Sequence, residues 1–325
     1  MAVVQDTGEV TEQSDEPVLL IGEVRTCLLP HSQAMTTRGA ADLLRLRAGE
    51  QVRRSERPNS YVRSPPLLTG VDCHLPTASG GKVRAVGTVT AHATLTEGRL
   101  LQSGAYCAVT AHGPRSRRRW GHYLARPGVV EPFGTLSERD VADGSLGEDR
   151  RPGELALGAI VDRTLSRVLR DRALDQRPPF TSQATALRWV GLRAPDGEGA
   201  SLTSFTLAGD GCRTAELRLP AGTAAEAAAG LCHDLSLHDW LLTSLVRVVE
   251  LSRLGSTDGR DSLAALRPAV DHLIHLWLPG SRVASALLPL WEALERHPGF
   301  TRQWSILVQR IRDQLALQTA VHLLP

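Results

Sequence analysis

The densest run of chemically capable side chains lies between Gly113 and Arg126 and reads GPRSRRRWGHYLAR. Arg115, Arg117, Arg118, Arg119 and Arg126 interleave with Trp120, His122 and Tyr123, and no acid occurs between Glu97 and Glu131. Arginine neutralises phosphates and displaces their counterions, while aromatic rings stack on bases. The same composition suits docking onto an acidic protein. It also suits a solvated basic loop with Trp120 and Tyr123 tucked into a core. The composition leaves all three open.

Other reactive types are sparser. Cys73 and His92 offer the residue types of a thiol nucleophile and its base, which would require proximity and a lowered thiol pKa. His272 and His275 stand one helical turn apart, as two ligands of a metal would, but further ligands are not evident. On a helical wheel both fall away from the Leu266, Val270, Leu273 stripe, so a solvent face is expected. His238 falls within the apolar arc of its segment and reads as a core histidine with one hydrogen bond. Gly80-Gly81-Lys82 lacks the GxxxxGK[ST] frame of a phosphate loop and precedes a strand pattern, so it reads as a turn. Neither a GxSxG elbow nor an HExxH pair is present. No cofactor is implied.

The elements that must position these residues follow from periodicity. Val83, Ala85, Gly87, Val89, Ala91, Ala93 and Leu95 alternate with Arg84, Thr88, Thr90, His92 and Thr94, the pattern of a half-buried strand. A turn at Thr96-Glu97-Gly98 and a partner strand from Leu100 to Thr110 complete a hairpin. Val18–Leu29 reads as a strand, and Thr36 or Thr37 as the cap of a short helix. Residues 48–66, with Pro58, Pro65 and Pro66, read as an irregular edge, and 111–134 as a basic loop. Residues 154–174 carry Leu157, Ile160, Val161, Leu165 and Val168 at helical spacing. A three-strand meander is expected around Leu187, Phe205 and Leu217, with Gly-containing turns between. From Ala221 the period becomes helical. Ser236 with Asp239 resembles a capping box, and further helices are expected near 263–277, 287–296 and from Thr301. Strands, one helix, strands and then helices make an α+β chain.

Length and charge frame the whole. The chain of 325 residues has 42% hydrophobic and 22% charged residues, ordinary for a globular protein. Its net charge of +2 conceals a gradient. Residues 1–24 hold six acids and no base, whereas 25–130 hold fifteen Arg and Lys82 against five acids. A field that strong attracts polyanions. The expected organisation is an acidic disordered tail at 1–17, a basic β-rich module at 18–220 and a helical domain at 221–325. The β-rich module divides in two, if at all, near 135–153. No stretch approaches the roughly 18 apolar residues of a membrane span. The early apolar run Val18–Ile21 is too short for a secretory leader. Five scattered cysteines suit a reducing cytoplasm.

Three segments carry a resemblance: GVDCHLPTASGGKVRAVGTVTAHAT (70–94), HYLARPGVVE (122–131) and LHDWLLTSL (237–245). They are similar to an uncharacterised family of actinobacterial proteins of this length, encoded near a variant P-loop ATPase and a methyltransferase. The resemblance implies an accessory part of a multi-protein system and carries over no catalytic residue. The leading expectation is therefore a non-enzymatic accessory or scaffold component that binds an acidic partner through the basic module. A nucleic-acid-binding protein using residues 113–126 is the alternative, and an enzyme with a Cys/His site the third reading.

Overall fold

The computed structural model describes residues 17–113, 116–148, 150–208, 211–252 and 259–323. The acidic tail read at 1–17 falls outside it except for Pro17, and so does Arg115. Among the described residues, ten strands form one sheet: β1 (Pro17–Leu28), β2 (Arg53–Ser55), β3 (Tyr61–Arg63), β4 (Leu67–Leu75), β5 (Val83–Thr96), β6 (Leu100–Thr110), β7 (Val129–Pro132), β8 (Thr185–Arg193), β9 (Ser201–Ala208) and β10 (Cys212–Leu219). The helices are α1 (Thr37–Leu43), α2 (Trp120–Leu124), α3 (Glu138–Leu146), α4 (Leu157–Leu169), α5 (Ala225–Leu251), α6 (Gly259–His272), α7 (Leu288–Arg296) and α8 (Phe300–Leu323). The fold is α+β, a strand-rich N-terminal region followed by a helical C-terminal one. No described helix is long and apolar enough to cross a membrane.

The β5–β6 hairpin is the spine of the sheet. Thr96 pairs with Leu100, and Glu97 and Gly98 both take positive φ (49° and 61°), the conformation that matches a tight turn to the twist of its strands. Along one edge β5 pairs first with β4 and then with β3, with Pro65 and Pro66 in the break between them. On its other side β7 is wedged between the diverging ends of β5 and β6. A Cβ at Gly87 would lie 2.1 Å from the Val129 carbonyl oxygen, so only glycine admits β7 so closely.

β1 sits between β6 and β8, both antiparallel to it, so strands from either side of residues 135–153 share one sheet. The expected meander is replaced by the order β8-β10-β9, with β8 and β10 parallel. The chain lays β9 at the edge and returns β10 into the gap. Burial explains the choice. Ala215, Leu217 and Leu219 of β10 are buried, whereas Leu207 of β9 is exposed. The more apolar strand takes the inner place.

Each face of the sheet is covered. α3 and α4 lie on one, with Ile21, Ala91, Ala105, Ile160 and Val161 in a common core. α5 lies on the other, across β1, β6 and β8, and is backed in turn by α6 and α8. The core there runs without interruption from Val24, Trp189 and Leu217 of the sheet through Trp240 and Leu241 to Trp291 and Trp304. A helix covered on both sides is buried nearly all round: residues 231–242 of α5 are all buried, and the polar ones among them must find partners inside. Ser236 is therefore mid-helix and not a cap. Its hydroxyl lies 2.8 Å from the Thr26 hydroxyl on β1, and the helix begins eleven residues earlier.

Covering both faces also changes the reading of β5. On its even-numbered side Thr88, Thr90, His92, Thr94 and Thr96 are all buried, His92 against His233 of α5 and Thr88 against the loop at 126–128. The polar side of the strand is an interior polar surface and not a solvent-facing one.

Candidate functional site

Polar residues that face inward must find partners or line space, and here they do both. Gln102 of β6 donates to the Thr26 hydroxyl (3.0 Å) and to the His233 carbonyl (2.9 Å), tying the sheet to α5. His233 stacks on His92, with ring centroids 4.4 Å apart. The ring fits because residue 104 is glycine: a Cβ there would lie 2.1 Å from His233 Nε2. Arg63 donates to His92 Nδ1 at 3.2 Å. Burial and this neighbouring cation hold both imidazoles neutral, His233 down to about 3 and His92 well below its ordinary value. A cavity of about 110 Å³ opens beside the pair, bounded by Tyr61, Arg63, Gln102, Asp234 and Arg282. Arg282 lies over the Tyr61 ring and donates to the Asn59 carbonyl.

A larger cavity, about 670 Å³, lies next to it where the N-terminus of α5 meets the sheet. Leu20, Leu68, Ala108, Val129, Leu192 and Leu219 contribute apolar walls. Thr90, Tyr106 and Glu226 supply polar groups, and Arg47 and Arg193 also line it. Tyr106 joins the two spaces: it lines the larger, and its ring meets His92 edge-on at 6.1 Å. Glu226 lies beside Arg53 (3.2 Å) and Arg63 (3.3 Å), so its charge is compensated from the sheet side. A volume of this size, largely apolar with a few convergent polar groups, is what a drug-sized ligand occupies.

The residues singled out in the sequence are dispersed by comparison. Cys73 and His92 are not brought together. Cys73 pairs with Ala85, seven positions along β5 from His92, and packs on the α3–α4 face, whereas His92 faces α5. Burial and the nearby Asp72 carboxylate push the Cys73 thiol up to about 11, the wrong direction for a nucleophile. His272 ends α6 and stacks on Phe180, while His275 is exposed in a separate 3-10 turn at 274–276. No group of three or more metal-binding side chains occurs among the described residues. His238 is buried, and its Nδ1 lies 2.7 Å from the Asp234 carbonyl oxygen, as a core histidine should.

The basic stretch is partly neutralised. The buried Glu131 pairs with His122 (2.9 Å) and with Arg126. Arg117 pairs with Asp72 at 3.1 Å and lies over the Trp120 ring. Tyr123 is fully buried and its hydroxyl accepts from the Arg118 amide. That leaves Arg118, Arg119 and the half-exposed Trp120 on the surface, and among the described residues no carboxylate pairs with either arginine.

The fold and site define an α+β protein with a largely apolar cleft, open to solvent on one side, between a mixed sheet and the start of a long helix. No family model matches the chain, and no curated protein or solved structure matches it.

Proposed function

We propose that this protein is a ligand-binding component, and that its site is the 670 Å³ cavity between the sheet and the start of α5. The observation that carries this reading is the cavity itself. A concave, largely apolar cleft of this volume, open to solvent on one side and bordered by a few polar groups, is the kind of surface a small ligand covers. Binding there would tie α5, β1 and β8 together and so stabilise the whole α5 face of the core.

The neutral dye N-phenyl-1-naphthylamine, which fluoresces in apolar surroundings, tests the reading. The dye is expected to bind saturably at one site per chain. Ala108→Trp, which places an indole in the cavity, is expected to abolish binding while thermal unfolding remains cooperative. Absence of saturable binding, or binding indifferent to the indole, refutes the assignment.

A second reading rests on Arg118, Arg119 and Trp120. Their exposure and the lack of a carboxylate partner suit contact with an acidic partner protein, the role expected of an accessory component. Nucleic acid is the competing occupant. Duplex DNA would bind with an affinity that falls linearly in log salt by about 0.9 per phosphate contacted. An Arg118→Glu, Arg119→Glu variant that binds DNA as well as the parent protein removes nucleic acid from consideration.

A further inference from the structure

Resting on the cavity reading above, we infer that the ligand is an amphipathic acid, whose anionic head sits at the N-terminus of α5 beside the Tyr106 hydroxyl. α5 is a helix of 27 residues whose N-cap is Ala224, a residue with no side-chain oxygen to accept from the first turn. The first amide groups of a helix have no intrahelical partner. Ala227 and Ala228 donate back to the Ala224 carbonyl. No acceptor among the described residues takes the amides of Ala225 and Glu226, and residues 220–226 line the cavity. Two amide donors at the positive end of a long helix thus border an apolar chamber. Such a terminus attracts an anion.

Tyr106 supplies the independent observation. It is only 7% exposed and lines the same cavity, yet its hydroxyl has no hydrogen-bond partner among the described residues. The hydroxyl oxygen itself keeps access to solvent, so it stands free as a donor on the cavity wall. A carboxylate at the α5 terminus would accept from this phenol and from the amides together. The carboxylate of Glu226 shares the first turn, but Arg53 and Arg63 hold it at 3.2 and 3.3 Å. The chamber's apolar walls, Leu20, Leu68 and Leu219 among them, call for a hydrocarbon or aromatic body behind the charged head.

The test is displacement of N-phenyl-1-naphthylamine from the full chain by octanoate and by octan-1-ol, which differ in the head group. Octanoate is expected to displace the dye at concentrations about tenfold lower than the alcohol, the scale of one or two charge-assisted hydrogen bonds. Two variants localise the preference. Ala225→Pro removes one amide at the first helical position, where proline is favoured. The preceding Ala224 already has the extended backbone (φ −63°, ψ 133°) that proline demands. Tyr106→Phe removes only the hydroxyl. Each is expected to cut the preference for octanoate to a few-fold or less, read as the ratio of octanoate to octanol displacement within that variant. If the dye binds but octanoate and octanol displace it equally, the cavity reading stands and the acid is refuted. If the preference survives both variants, the charge is held elsewhere, at Arg47 or Arg193, and the inference falls. If the dye does not bind, the cavity reading has failed, and thermal unfolding decides the acid separately. An unfolding temperature raised by octanoate and not by octanol, with the rise lost in both variants, supports it; no such rise refutes it.

Discussion

At the residue scale, the stacked His92 and His233 show how far a buried pair departs from solution behaviour. Each imidazole is neutral in the fold, His233 because burial brings it down to about 3, with Arg63 adding to the effect. In the unfolded chain both titrate near 6.5. Below that pH the unfolded chain binds a proton that the folded chain refuses, so stability is greatest above pH 6.5 and falls as pH drops from there toward 3. The slope is about 1.4 kcal/mol per pH unit for each ring. Urea unfolding at pH 5, 6, 7 and 8 should show this decline, and His233→Gln should reduce its slope by about one ring's share. Comparing the two slopes isolates the imidazole from Asp234 and Asp239, whose carboxyls burial pushes up and whose linkage runs the other way. An unchanged slope would contradict the assignment. Sequence alone gives little hint of this pair. His92 was visible as a member of an alternating strand, but its stacking partner lies 141 positions away and depends on the absence of a side chain at Gly104.

At the element scale, the hairpin β5–β6, the helix α4 and the helical back of the chain were legible, because each carries its own periodicity and turn residues. The start of α5 was not. Ser236 and Asp239 mimic a cap, but a cap matters only where the helix ends. Here residues 231–235 are buried in the core and the helix runs on through half-exposed first turns to Ala225. The true terminus bears Ala224, one of the poorest capping residues, and a helix this long without a cap leaves stabilisation unused. Ala224→Asp should raise stability by about 1 kcal/mol. The new carboxylate would occupy the same amides as the proposed ligand. Higher stability together with loss of octanoate binding is therefore expected, the first read by urea unfolding and the second by dye displacement. A variant that gains stability and still binds octanoate selectively would separate the cap from the site. The order β8-β10-β9 was equally hidden, since alternation marks a strand but not its neighbour.

At the scale of the whole molecule, the charge gradient and the α+β class were readable from composition and element order. The interior was not. The basic stretch at 113–126 looked like the site because its residues are adjacent in sequence, yet Asp72 already pairs with Arg117, Glu131 with His122 and Arg126, and Tyr123 is buried. The cavity draws instead on β1, β4, β5, β6, β7, β8, β10 and the loop into α5, residues scattered from Pro17 to Glu226 with no shared motif. Such a site exists only once the sheet and α5 are packed together. Occupancy of the cleft is visible in a crystal soaked with 3-iodobenzoate, an aromatic acid carrying an anomalous scatterer. One iodine peak is expected in the cleft, with the carboxylate within hydrogen-bond distance of the Ala225 and Glu226 amides and the Tyr106 hydroxyl. An empty chamber at saturating concentration, or iodine found only at Arg118 and Arg119 on the surface, would contradict it.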